Sequence, residues 1–141
     1  MGFSLVAAAA IIGVSILIVI EGIVGTTIPI FTNVHESFNK MKNRAIYQVQ
    51  TDINITSVTA EVNGSKTDIN ITIKNIGSIS LKTSYFYILI NGTSKEFTCS
   101  NLYLHPGNEV YINVSSLAST GLQRLKVVTD NGISDYYDFM I

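Results

Sequence analysis

From Phe3 to Ile20 the chain reads FSLVAAAAIIGVSILIVI, eighteen residues without a charge and diluted only by Ser4, Gly13 and Ser15. Crossing the hydrocarbon core of a bilayer takes about 20 apolar residues in helix. After Glu21 the apolar run resumes as GIVGTTIPIF to Phe31, enough to span with tilt. A helix buried in a soluble core keeps a polar stripe, and this segment has none. A cleaved signal peptide carries a basic n-region and a shorter apolar core, whereas only Met1 and Gly2 precede this run. The sequence therefore predicts an uncleaved N-terminal membrane helix region over residues 1–31. Glu21 closes its most apolar part, either as an interfacial charge or as an ion-pair partner inside lipid or a filament, where a lone carboxylate is expensive.

Pro29 lacks a backbone donor and clashes one turn back, which predicts a break in the helix. A second helical stretch, a stalk over residues 32–50, then places Phe38, Met41, Ala45 and Val49 near helical spacing with Lys40, Lys42 and Arg44 between them. Those three cations stand at the far edge of the window counted by the positive-inside rule, and Glu21 and Glu36 offset them. The rule assigns no orientation.

Residues 51–141 have the pattern of an all-β domain. Alternating β-branched and polar residues recur in Asp52–Val62, Asp68–Asn75, Tyr85–Ile90, Glu96–Cys99, Glu109–Val114, Gln123–Thr129 and Ser134–Phe139. Such alternation gives a strand one buried and one wet face; Ile69, Ile71 and Ile73 of INITI share one side. Asn63-Gly64, Asn91-Gly92 and Asn131-Gly132 supply the positive φ of tight hairpin turns, and Pro106-Gly107 marks another turn. Seven or eight short strands in about 90 residues, without a helix among them, predict an immunoglobulin-like β-sandwich. The fold class is thus an all-β immunoglobulin-like sandwich with an N-terminal transmembrane α-helix and a short helical stalk.

Composition narrows the chemistry. Charged residues make up 13% of the chain and its net charge is −1; phosphate binding needs clustered positive charge, so this near-neutral balance argues against nucleic acid as a partner. The lone Cys99 excludes an internal disulfide framework and reads as a small buried hydrophobe. His105, before Pro106-Gly107, reads as a surface hydrogen-bonding residue, and His35 beside Glu36 has no ligand at metal spacing. Asp130, Asp135 and Asp138 alternate faces along a hairpin and offer no loop of oxygen ligands for calcium. No serine stands in a nucleophile elbow. The expectation is no enzyme: no catalytic residues, no metal and no cofactor. Tyr136, Tyr137 and Phe139 read first as a final strand with Tyr137 and Phe139 on one face; an exposed aromatic edge there would instead be an interface.

Five triplets fit the N-glycosylation acceptor pattern, at Asn54, Asn63, Asn70, Asn91 and Asn113. Twelve asparagines in a chain about one-fifth Ser and Thr give roughly two by chance. This modest excess, with the scarcity of cysteine and a weakly charged polar surface, favours a domain outside the cytoplasm.

The opening MGFSLVAAAAIIGVSILIVIEG resembles that of archaellum accessory proteins of the FlaF type. IKNIGSISL (Ile73–Leu81), ILING (Ile88–Gly92), LYLHPGNEVYINV (Leu102–Val114) and GLQRLKVVTDNGISDYYDF (Gly121–Phe139) resemble the strand pattern shared by FlaF, its relative FlaG and archaellin-like domains. The resemblance implies a membrane-anchored sandwich outside the cytoplasmic membrane, which binds the S-layer protein and other archaellum components as part of the stator. It also implies a sandwich able to form a homodimer. Archaellins and archaeal pilins carry a short basic leader, and no Lys or Arg precedes Gly2-Phe3. That favours the anchored accessory protein over the alternative, a structural filament subunit whose N-terminal helix packs the filament core.

Overall fold

The computed structural model describes residues 2–117 and 120–141, save for the side chains of Asn63 and Ser116. One helix, α1 (Gly2–Gln50), precedes the strands β1 (Ile53–Asn63), β2 (Lys66–Asn75), β3 (Leu81–Lys82), β4 (Tyr87–Ile90), β5 (Thr93–Lys95), β6 (Thr98–Cys99), β7 (Tyr103–Leu104), β8 (Glu109–Leu117), β9 (Leu122–Val128) and β10 (Ser134–Met140). The chain forms two compact units, one ending at Asn43 and the other running from Arg44 to Ile141.

In the first unit the expected break does not occur: α1 continues through Pro29. Proline withholds one donor, which leaves the Gly25 carbonyl without its usual partner. The Thr26 and Thr32 hydroxyls on either side bond back to the carbonyls of Gly22 at 2.6 Å and Ile28 at 3.0 Å. Hydroxyl back-bonds of this kind accompany tolerated prolines in long apolar helices. Every described side chain of this unit is exposed, and the helix is long and apolar enough to cross a membrane.

In the second unit two four-stranded antiparallel sheets face each other, in the orders β1-β2-β8-β6 and β10-β9-β4-β5. These are the A-B-E-D and G-F-C-C′ orders of an immunoglobulin-like sandwich. A two-residue ribbon of β3 and β7, Leu81 opposite Leu104, bridges the connections. Ile69, Ile71, Ile73, Ile88, Val110, Ile112, Leu125 and Val127 alternate inward from both sheets and form the core.

The period-2 pattern slips once in β1. Ile55 pairs with Ile73 but Ser57 pairs with Thr72, so Thr56 is an extra, bulged residue. Ile53 and Ile55 face inward before the bulge, and Val58, opposite Ile71, does so after it. The Asp135 carboxylate accepts the Ile55 N–H at 2.8 Å beside the bulge, which satisfies an edge-strand donor.

Turn chemistry differs among the Asn-Gly sites. Asn91 and Gly92, at φ +50 and +79, form the two-residue loop between paired Ile90 and Thr93. Asn63 instead pairs with Lys66, so that loop is Gly64-Ser65 with only Gly64 recorded at positive φ. Between β9 and β10 the loop is longer, closed by Thr129 N–H to Ile133 O at 2.8 Å. The strands β3, β5 and β7 are too short to show alternation, and Tyr85, expected to begin a strand, instead ends a single 3-10 turn over Thr83–Tyr85.

Asn75 ends β2 fully buried and with its hydrogen bonds made. Its Nδ2 donates to Ile79 O at 2.7 Å and Leu104 O at 3.0 Å, and its Oδ1 accepts Gly77 N–H at 2.9 Å. Its backbone N–H donates to Asn108 O and its carbonyl accepts from Gly107, at 3.0 and 2.8 Å. Gly107, at φ +78 after Pro106, makes the turn that delivers that donor.

The last turn of α1 is bonded into the same unit. A helix leaves its final carbonyls unpaired, and here they find partners. Tyr47 O accepts the Thr51 hydroxyl at 2.9 Å, and the Asn131 amide also reaches it. Gln50 O accepts Ser78 N–H at 2.9 Å, and Gln48 Nε2 donates to Asn131 O at 2.9 Å. Gly77 lies so close that a Cβ there would stand 2.5 Å from Asp52 N and Gln50 O.

Two outcomes follow for the full chain unfolded in detergent with tyrosine fluorescence as readout. Asn75→Ala removes three hydrogen bonds, to Ile79 O, Leu104 O and Gly77 N–H, and should cost about 2–4 kcal/mol, since removing one partner of a buried hydrogen bond costs about 1–3 kcal/mol; a loss below about 1 kcal/mol excludes the role. Gly77→Ala should lower Tm by about 8 °C or more, because backbone rather than a flexible side chain must give way; a shift under about 2 °C is incompatible with the close approach.

Candidate interaction surface

The sandwich turns two different faces to solvent. On the outside of β10-β9-β4-β5 the register aligns Tyr136, Lys126 and Leu89 in one row, Asp138 and Arg124 in the next, Met140 and Leu122 beyond, and Ser134, Val128 and Tyr87 on the other side. Tyr87, Leu122, Tyr136 and Met140 are each more than half exposed. A shallow depression of about 440 Å³ lies among Leu89, Leu122, Arg124, Lys126, Tyr136 and Asp138.

Cross-strand pairs order this face. The Arg124 guanidinium grips Asp138 with two bonds, Nε to Oδ1 at 2.8 Å and Nη2 to Oδ2 at 2.9 Å. The Lys126 ammonium stands 5.0 Å from the centre of the Tyr136 ring. Hydrogen bonding from Arg124 holds the Asp138 carboxyl below its ordinary range, and the same bond raises the guanidinium. Lys126 lowers the Tyr136 hydroxyl. Elsewhere in this unit, partial burial and then the Asp130 charge raise Tyr47.

The three aromatic candidates divide across the sheet. Tyr136 points out, whereas Phe139 is 7% exposed and belongs to the core, with Tyr137 half-buried against it. Phe139 therefore has little free surface to offer a partner, because the period-2 pleat turns it inward opposite the buried Gln123. The residues that accompany Tyr136 come from β4 and β9. Their signal lay in the alternation itself: once Ile88, Ile90, Leu125 and Val127 face inward, Tyr87, Leu89, Leu122, Arg124 and Lys126 face out.

The other outer face, on β1-β2-β8-β6, is polar. It presents Asn54, Lys74 and Glu109 in one row, Thr72 and Tyr111 in another, and Thr59, Asn70, Asn113 and Thr98 in a third. Asn70 and Asn113 stand directly opposite, with Asn113 Nδ2 donating to Asn70 Oδ1 at 2.7 Å. Asn91 sits in the β4–β5 turn, where its Nδ2 donates to Gln123 Oε1 at 2.6 Å and its Oδ1 accepts Arg124 N–H at 2.9 Å. The Asn63 side chain lies outside the described residues.

The remaining candidates are dispersed. Cys99 packs against the core with its thiol 3.3 Å from Asn101 O. His105 lies in its turn, 2.8 Å from the Ser80 hydroxyl and stacked on Tyr103. His35 and Glu21 are exposed on α1. Asp135 caps the β1 bulge while Asp138 pairs with Arg124. Among the described residues no three His, Cys, Asp or Glu side chains converge on a point that could hold a metal ion.

Residues 48–134 match the CARDB family model, which spans most of the second unit. The chain belongs to the CARDB family. Solved structures similar to it include the archaellum periplasmic stator protein FlaG from Sulfolobus acidocaldarius, 23% identical at a TM-score of 0.49 over 63% of this chain and 99% of that one. Another is the CARDB domain of a Pyrococcus furiosus protein, 19% identical at a TM-score of 0.43 over 64% of this chain and 94% of that one. No curated protein sequence matches the chain. In this CARDB sandwich the matched residues begin at Gln48, two residues inside the end of α1, where Gln48 already bonds Asn131.

The Asp138 shift has a definite sign. Its folded pKa is depressed, so the Arg124 pair contributes stability above the unfolded pKa and loses it as pH falls through the folded one. In carboxyl-resolved NMR, Asp138 should titrate below the ordinary aspartate range, and Arg124→Gln should bring it back up. An unchanged midpoint in that variant would show that Arg124 is not the cause.

Proposed function

We propose that this CARDB protein is a membrane-anchored accessory component of the archaellum, with residues 1–31 of α1 in the cytoplasmic membrane, residues 32–50 as a stalk and the sandwich outside. The sandwich acts as a non-enzymatic binding module, engaging the S-layer protein and other archaellum components as part of the stator, either as a single chain or as a homodimer. The observation that carries the reading is one chain joining a long, fully exposed apolar helix to a sandwich with exposed aromatic and aliphatic side chains on one outer face. The N-terminal resemblance to FlaF-type accessory proteins supports it, and the similar Sulfolobus FlaG is an archaellum periplasmic stator protein.

Physically, a rotating filament needs a fixed frame to react against. A single helix in a fluid bilayer resists sideways drag poorly. Tying the outer domain to a rigid surface lattice supplies that resistance, and the tie needs a contact face rather than a catalytic site. Tyr136 with Leu89, Leu122 and Met140 offers such a face, since tyrosine is among the residues enriched at the hot spots of protein contacts.

The test is binding of the full chain in nanodiscs to isolated S-layer protein. Saturable binding is expected, weakened about tenfold or more by Tyr136→Glu, which removes an exposed ring and adds an unpaired charge. Tyr136 is exposed, so the variant should keep the parent's Tm. No saturable binding by the parent, with the chain recovered instead from sheared filaments, would identify a filament subunit.

A further inference from the structure

The five acceptor triplets are not equivalent once folded. Three of them, at Asn54, Asn70 and Asn113, open onto the polar outer face of β1-β2-β8-β6. Asn91 alone lies on the other sheet, in a turn that uses both ends of its amide. We propose that the β1-β2-β8-β6 face is an N-glycosylated face, with Asn54 and Asn70 as the acceptors and Asn91 and Asn113 unmodified. This rests on the placement of the sandwich outside the cytoplasm.

The modification joins the side-chain amide nitrogen to the anomeric carbon of an oligosaccharide carried on a lipid phosphate. The Nδ2–C bond forms as the C–O bond to the phosphate breaks, the phosphate leaves with the electron pair, and one Nδ2 proton is lost to base. The folded product must then leave the substituted nitrogen in solvent, and no bond the fold needs can depend on the lost proton.

Asn54 meets both conditions: it is exposed on the outer face of an edge strand, opposite Lys74. At the Asn70–Asn113 pair the direction of the hydrogen bond decides. Asn70 serves through its oxygen, and among the described hydrogen bonds none uses its nitrogen, so a sugar on Nδ2 leaves the pair intact. Asn113 is the donor, and its oxygen also accepts the Ser115 hydroxyl at 2.9 Å, so its amide is held from both ends. The two Cβ atoms of such a directly opposed pair stand about 5 Å apart, too close for two oligosaccharides side by side. Asn91 donates from Nδ2 to Gln123 and sits at φ +50 in a two-residue loop, where a sugar would displace the contact that fixes the amide.

The consequence is a one-sided module. Sugars on one sheet cover the Thr- and Asn-rich face and the adjoining β1 edge, while the Tyr136 face of the other sheet stays bare for protein contact.

Glycopeptide mass spectrometry of the full chain from its native membranes tests this. Sugar is expected on the peptides of Asn54 and Asn70 and on neither Asn91 nor Asn113. Thr72→Val, which removes the Asn70 triplet but keeps the Asn70–Asn113 bond, should lose one glycan mass, and Asn91→Gln none. Sugar on Asn91 or Asn113, or a bare Asn54 or Asn70, overturns the assignment. Protease added outside intact cells separates the two levels. A chain that is cleaved yet bare refutes the glycan face alone, whereas a protected chain refutes the outer location and this inference with it.

Discussion

The buried amide of Asn75 joins segments that no strand pairing connects. Through one side chain and its own backbone it ties the end of β2 to the loop at Gly77–Ile79, to Leu104 in the small ribbon, and to the Pro106-Gly107 turn. Each of those segments carries backbone groups that would otherwise be buried without partners, at a cost that grows as solvent is excluded. The core isoleucines supply the driving force for the two sheets to meet, but they are interchangeable in kind. Asn75 is not, because only a primary amide donates twice and accepts at that spot.

The same loop closes the helix end. Ser78 and Gly77 take the positions where Gln50 O and the Asp52 backbone need partners, and Asn131 reaches the last turn from the β9–β10 loop. The final carbonyls of α1 are therefore satisfied partly by Thr51, just past the helix, and partly by loops of the sandwich. A side chain that seemed a turn residue in the sequence serves here as a cap, which is why Asn131-Gly132 does not make the tight hairpin its dipeptide suggests.

Alternation was the strongest sequence signal and it located the six longer strands, the region of β6 and most of the core. It failed at Thr56, where two polar residues in succession mark a bulge and the inward set moves from Ile55 to Val58. It could not show β3, β5 or β7, since two or three residues carry no period. Pro29 misled for a different reason. Proline withholds one donor and crowds the preceding turn, yet α1 keeps its course through Pro29 between two threonines bonded back to the helix's own carbonyls. Of the three aromatic candidates Tyr136 stands exposed and Phe139 went to the core, and the outward neighbours of Tyr136 come from β9 and β4.

What the sequence determined by itself is what local periodicity and composition can encode: a long apolar helix first, a two-sheet sandwich after it, and little ionisable chemistry in between. Those properties follow from hydrophobic burial acting on one segment at a time. The tertiary structure alone decided which side of each strand would meet a neighbour, and so which residues form a surface. Tyr136, Lys126 and Leu89 become a row, and Asn70 becomes the acceptor to Asn113, only because register across three chain-distant strands is fixed by the packing of both sheets at once.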